Sequence, residues 1–250
     1  MFRSIIKKLQ KAIGVSVTLH PLLLRSLVRG VAASTEHLNA LKCLGTIGTV
    51  IDIGANKGQF ALIARYMFPR SSIYSFEPLE GPANRYRRLL LPEFRFYLTQ
   101  AAIGPENKLV PIHVSASDDS SSLLPIGRLQ SELFPGTQES HTDTVRQAPL
   151  SELLDAATLQ RPCLLKLDVQ GFELNALQGC TNAFPNIDWI YVECSFLELY
   201  EGQALACDVI AYLYLHDFRV SGVYNMTYDS KGRAIQADFL FSAPWATTFK

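Results

Sequence analysis

Two kinds of hydrophobic spacing divide this chain. In its first part apolar residues recur at helical intervals. Phe2, Ile5, Ile6, Leu9 and Ile13 share a face, while Arg3, Lys7, Lys8 and Lys11 lie mostly elsewhere around it. Residues 21–44 keep a helical period, starting at Pro21 and interrupted near Gly30. The pattern predicts an N-terminal helical cap over residues 1–45. A basic amphipathic helix at 2–13 suits packing on the domain, and it equally suits peripheral contact with a membrane or a partner.

From residue 48 short β-rich runs alternate with helical stretches, predicting one domain over 46–250. Strands are expected at Thr49–Ile53, Ile73–Phe76, Phe94–Ile103, Cys163–Leu167, Ile187–Cys194, Phe218–Val223 and Ala237–Phe241. Helices are expected at 59–67, 82–91, 172–179 and 204–214. Nearly continuous apolar strands between helices predict an α/β fold, a mainly parallel sheet covered on both faces. In such sheets ligands bind outside the carboxyl ends of the strands, so the residues just after each strand carry the chemistry. Residues 104–148 break the rhythm with a strand-like Lys108–Val114, a polar Ser115–Ser122, Pro125, Pro135 and Gly136, and an extended Thr142–Ala148. They read as inserted strands and a long loop, suited to a lid or binding loop.

Composition narrows the function classes. The 23 basic and 23 acidic residues balance to zero net charge, which gives no broad attraction to nucleic acid. Five cysteines with no CxxC pair, two of them (Cys163, Cys194) in apolar runs, fit a reducing, cytoplasmic setting better than a disulfide framework. Five scattered histidines give no zinc spacing. No apolar run reaches the roughly 18 residues of a membrane span.

Three strand ends hold the candidate chemistry. The first strand runs into Asp52-Ile-Gly54-Ala-Asn56-Lys-Gly58, glycines suited to a tight turn at a helix start. The second ends Ser75-Phe76-Glu77-Pro78, placing an acid 25 positions after Asp52, where nucleotide-binding βαβ units hold ribose hydroxyls. No third glycine completes GxGxxG and no GK[ST] follows, so the pair favours S-adenosyl-L-methionine, which has no pyrophosphate to cradle. The third is Lys166-Leu-Asp168-Val-Gln170-Gly171-Phe-Glu173. Its charges at the edge of an apolar strand are costly unless paired or used. A Lys166–Asp168 or Lys166–Glu193 ion pair is the structural reading of Lys166. Glu173 serves either to bind substrate or to cap its helix.

VIDIGANKGQF, SFEP, LLKLDVQGFELNALQG, IYVECSF and DFLF together resemble the FkbM-type methyltransferases over roughly residues 48–242. The resemblance implies a class I methyltransferase (Rossmann-like) fold, with a seven-stranded, mostly parallel sheet whose last strand is antiparallel. It also implies O-methylation of a sugar, glycolipid or natural-product hydroxyl, so a small-molecule or glycan acceptor. It puts the cofactor on Asp52, Gly54, Ala55, Asn56, Gly58, Gln59 and Phe60, the ribose on Glu77 beside Pro78, the adenine by Gln100, Ala101 and Ala102, and Asp168 beneath the transferring methyl. The family's usual Glu at position 170 is Gln here, and an amide can hydrogen-bond but cannot act as a base.

Methyl transfer to a hydroxyl needs alignment and removal of its proton. Asp168 is the first candidate for that role, followed by His141 in the inserted segment and Glu193 at its strand end; Lys166, Glu173 and Ser195 are candidates for the acceptor pocket. Asp118, Asp119 and Ser120–Ser122 form a polar cluster suited to acceptor contact, and carboxylates such as Asp168 and Asp119 are also compatible with a divalent cation. Two other readings stay open. One is a catalytically silent binding module, and the other is an NAD-linked oxidoreductase on the same general fold.

Overall fold

The computed structural model describes residues 20–117 and 119–246, so the amphipathic stretch 2–13 and Asp118 lie outside the described residues. Helix α1 (Pro21–Val28) starts on proline and is followed by a left-handed Gly30. A 3₁₀ turn at Thr35–His37 leads into α2 (Leu38–Lys42). Leu23, Val31, Leu38, Ala40, Leu41 and Leu44 are buried in one core with the domain that follows.

That domain alternates β1 (Thr49–Ile53), α3 (Gln59–Met67), β2 (Ser72–Phe76), α4 (Glu80–Leu90) and β3 (Phe96–Thr99). The inserted region contributes β4 (Ala102–Ile103), β5 (Lys108–Ser115), α5 (Arg128–Leu133) and β6 (Glu139–Ala148). The chain then forms α6 (Leu150–Leu153), β7 (Cys163–Leu167), α7 (Glu173–Cys180), β8 (Trp189–Ser195), α8 (Ala206–Leu215), β9 (Arg219–Tyr228) and β10 (Ala234–Ser242). The seven-stranded sheet runs β3-β2-β1-β7-β8-β10-β9. Its β3-β2-β1-β7-β8 part is parallel, and β10 is antiparallel to both neighbours.

The alternation of side chains along each strand builds two cores. Val50 and Leu164 point to the face covered by α1–α4; Ile51, Ile53, Leu165 and Leu167 point to the face covered by α7 and α8. Every residue of β1 and β7 is buried, and each of these mainly apolar strands is broken by one charged residue. Those exceptions, Asp52 and Lys166, are direct register partners on neighbouring strands.

The predicted Phe94–Ile103 strand is divided in the structure. Phe96–Thr99 pairs with β2, while Ala102–Ile103 crosses into a separate three-stranded sheet ordered β4-β6-β5. In that sheet β5 and β6 form a long antiparallel pair. Helix α5 was not foreseen; it packs through Leu129 and Leu133 on Leu199, Tyr200 and Ile235.

Candidate active site

The sheet's strand order reverses between β2 and β7, on either side of β1, and a cleft lies there. Its floor is the turn after β1, Gly54, Ala55 and Asn56, with Gln59 and Phe60 from the first turn of α3. Gly54 has φ +77°, and a Cβ there would lie 1.9 Å from the Asp168 carbonyl oxygen. Gly58 has φ +90°, and its Cβ would meet Leu90 at 2.5 Å. Glycine is therefore demanded at both positions by backbone conformation and by neighbouring protein.

At the β2 side, Glu77 and Pro78 line the cleft with Ala102 and Ile103. Glu77 is buried, and its two oxygens accept from the amides of Asn56 and Leu79, each at 2.9 Å. These bonds fix the carboxylate and still leave lone pairs for hydroxyl donors. Burial pushes the Glu77 carboxyl up to about 7, against the two amide bonds that pull it down. Ribose hydroxyls donate more strongly to the ionised form. Affinity for S-adenosylhomocysteine is accordingly expected to rise about fivefold from pH 6 to pH 8, as the group loses its proton. Calorimetry on Glu77→Gln should show no rise over this range; a rise that survives the substitution assigns it to another group.

At the β7 side the charges are shared. The Lys166 ammonium lies 3.3 Å from Asp52 Oδ1 and 3.7 Å from Asp168 Oδ2, and it donates to the Gly54 carbonyl at 3.3 Å. Burial works against its charge, but Asp52 and Asp168 outweigh it and hold the group above the ordinary lysine value. Of the two expected ion pairs, Lys166–Asp168 is present; Asp52, the register partner, stands where Glu193 was expected.

Gln170 organises the next shell. Its backbone is left-handed at φ +54°, a strained state for a non-glycine residue. Its amide nitrogen donates to Asp168 Oδ1 at 2.7 Å and lies 3.4 Å from Glu193 Oε2, and its oxygen accepts from Tyr200 at 2.8 Å. A glutamate here would face two carboxylates; the amide supplies the donor they lack.

Most of the expected cofactor residues converge, and several acceptor candidates do not. Lys166 and Asp168 line the cleft, and Asp52 lies fully buried beside Lys166. Ala101 is buried, while Gln100 is exposed and bonded to Arg87, outside the cleft lining. His141 is exposed on β6, where it lines a neighbouring groove, so a proton-transfer role in the cleft has no geometric support. Glu193 reaches the site only through Gln170, and its other oxygen accepts from Gln236 at 2.7 Å. Burial, then Asp168, Asp238 and Glu173, push its carboxyl well above the usual range. Ser195 is buried against Gln203, and Glu173 accepts from the amides of Val169 and Gly171, so it caps the turn rather than facing an acceptor. From the inserted region, Ile112, Asp119, Ser121, Ser122 and Leu123 close over the cleft. Ser34 and His37, which sequence reasoning missed, line it from the N-terminal cap.

The residues present fit S-adenosylmethionine. Glu77 offers acceptors at the nucleoside side, and the carboxylates around Lys166 outnumber its charge, which suits a ligand carrying a sulfonium and an ammonium. Among the described residues no group of three or more His, Cys, Asp or Glu is placed to hold a metal ion.

Topology and cleft together define the class, an S-adenosylmethionine-dependent methyltransferase of class I. The chain belongs to the FkbM methyltransferase family, whose domain (Methyltransferase FkbM domain) matches residues 52–220. It is similar to the 2-O-methyltransferase NoeI of Sinorhizobium fredii, 26% identical over 191 residues that cover 72% of this chain and 79% of that protein. It is also similar to the hexuronic acid methyltransferase AglP of Haloferax volcanii, 26% identical, covering 57% of this chain and 54% of that protein. Among solved structures, magnesium protoporphyrin IX methyltransferase from Synechocystis aligns with a TM-score of 0.44 at 11% identity, over 82% of this chain and 74% of that one.

Proposed function

We propose that this enzyme methylates a hydroxyl group of a sugar residue, carried on a small molecule, a glycolipid or a larger glycan, in a reducing cytoplasmic setting. The observation that carries the reading is the placement of Asp168. It lines the cleft with its side chain 36% exposed, one oxygen held by Gln170 and the other 3.7 Å from Lys166. The names of NoeI and AglP, a 2-O-methyltransferase and a hexuronic acid methyltransferase, support a sugar acceptor.

Bound S-adenosylmethionine supplies an electrophilic methyl group on a sulfonium sulfur. The protein has to present an oxygen in line with that methyl and remove its proton. Asp168 Oδ2 accepts the hydrogen bond of the acceptor hydroxyl and takes its proton as the hydroxyl reacts. Gln170 keeps the carboxylate from turning away, and Lys166 limits the build-up of negative charge before reaction. The residues from 119 to 123 that face the cleft shape the acceptor side and shield it from water.

The test is a panel of monosaccharides, uronic acids, oligosaccharides and glycolipids, incubated with methyl-labelled cofactor and read by mass spectrometry. Transfer to a sugar hydroxyl, located by fragmentation, is the expected result. Transfer confined to nitrogen or carbon acceptors overturns the proposal.

A further inference from the structure

One end of the cleft is built by a segment outside the matched domain. Ser34 and His37 precede residue 52, yet both line the cleft that contains Lys166 and Asp168. The His37 ring is held from several sides. Its Nδ1 lies 3.0 Å from the Tyr191 hydroxyl, 3.3 Å from Asp238 Oδ2 and 3.3 Å from the Asn225 amide nitrogen. The rings of Phe60 and Tyr191 meet it edge-on, with centroids 5.4 and 5.5 Å away.

The protons can be assigned from this network. Tyr191 donates to Asp238 at 2.8 Å, and Asn225 donates to the same oxygen at 2.7 Å. With its proton committed to Asp238, the Tyr191 oxygen is left to accept, so the contact at 3.0 Å is Nδ1–H donating. Burial would push Asp238 up, but the contacts from His37, Asn225 and Tyr191 hold it below the ordinary carboxylate value. A charged carboxylate thus stands behind Nδ1. The ring's other nitrogen, Nε2, has no hydrogen-bond partner among the described residues, and the side chain remains 14% exposed on the cleft.

The position of this residue along the cleft indicates the ligand group. Across the sheet the cleft passes from Glu77 after β2, over Gly54 after β1, to Lys166 on β7 and Asp168 just after it. His37 contacts side chains of β8, β9 and β10, farther along in the same direction. With the ribose at Glu77, the amino-acid end of the cofactor lies toward His37. Acidic groups there, Asp52 and Asp168, suit its ammonium and repel its carboxylate. Lys166 is already shared between those two acids. Beyond Lys166, the donors that the N-terminal cap brings to this end of the cleft are His37 and the Ser34 hydroxyl, beside Asn56 and Gln59 of the β1 turn and α3.

We propose that Ser34 and His37 bind the α-carboxylate of the cofactor's amino-acid end. This rests on the assignment of S-adenosylmethionine as cofactor. With Nδ1–H held by Tyr191 and Asp238, the His37 ring donates through Nε2 to the ligand carboxylate and is oriented before the ligand arrives. The N-terminal cap then belongs to the cofactor site, although the matched domain begins after it.

Calorimetry with two ligands tests this. S-adenosylhomocysteine carries the amino-acid end; 5′-methylthioadenosine keeps the nucleoside and thioether but lacks it. His37→Ala is expected to weaken S-adenosylhomocysteine about ten- to a hundredfold, as for a lost hydrogen bond to a charged group, and to leave 5′-methylthioadenosine within about twofold. Ser34→Ala should weaken the first ligand alone, by about three- to tenfold. Parallel loss of both ligands overturns the proposal in favour of a scaffolding role, and unchanged affinity for S-adenosylhomocysteine overturns it outright. A wild-type protein that bound neither would instead remove the cofactor assignment beneath it.

Discussion

Asp168→Asn is expected to lower methyl transfer by about two to four orders of magnitude while S-adenosylhomocysteine still binds within a few-fold. The substitution preserves shape and reverses the chemistry at one atom. Gln170 donates to Oδ1, so the asparagine oxygen will take that place and its NH₂ group will occupy the position of Oδ2. A donor then meets the acceptor hydroxyl where an acceptor is needed, and it also meets the Lys166 ammonium. Single-turnover rates with a responsive sugar acceptor, together with calorimetry, separate the two effects. Undiminished turnover removes Asp168 from proton transfer; a large loss of binding reassigns it to holding the cofactor.

The second large effect concerns folding. Lys166→Met should destabilise the protein by about 3–5 kcal/mol, measured by urea unfolding without ligand. Asp52 is completely buried and its register partner supplies its compensating charge. Removing the ammonium leaves that carboxylate uncompensated in the centre of the sheet. Adding Asp52→Asn to the Lys166→Met protein should recover part of the loss, because the pair is then absent rather than half present. A loss below about 1 kcal/mol for the single variant contradicts this account of the pair.

The parts of the fold legible in the sequence share one physical property. Strands β1 and β7 and helix α3 have the boundaries that periodicity predicts, because they lie in the buried centre of the fold. At the sheet's edge the signal weakens. Strand β9 continues from the predicted end at Val223 to Tyr228, through positions that alternate only between exposed and half-buried. The division after Thr99 was hidden because the polar break there, Thr99-Gln100, is only two residues long.

The site shows the same contrast. Gly54, Glu77 and Asp168 sit directly after strands, where topology alone brings them together. Their environment is local, so spacing exposed them. His37 reaches the cleft through contacts with residues more than 150 positions away, and no motif accompanies it. His141 has a suitable side chain, but the turn of β6 sends it to another groove. Glu173 carries a charge at a suggestive position, yet two amides of its own turn absorb it.

The near contact between Gly54 and the Asp168 carbonyl has a consequence for how this enzyme can diversify. The turn after β1 and the turn after β7 share a border with no room for one extra carbon. Neither can be redrawn alone, so changes in substrate preference must be made elsewhere. The loop after β5 meets the cleft through Asp119, Ser121, Ser122 and Leu123. Exchange of this segment offers a route by which one methyl-donating frame can be fitted to many acceptors.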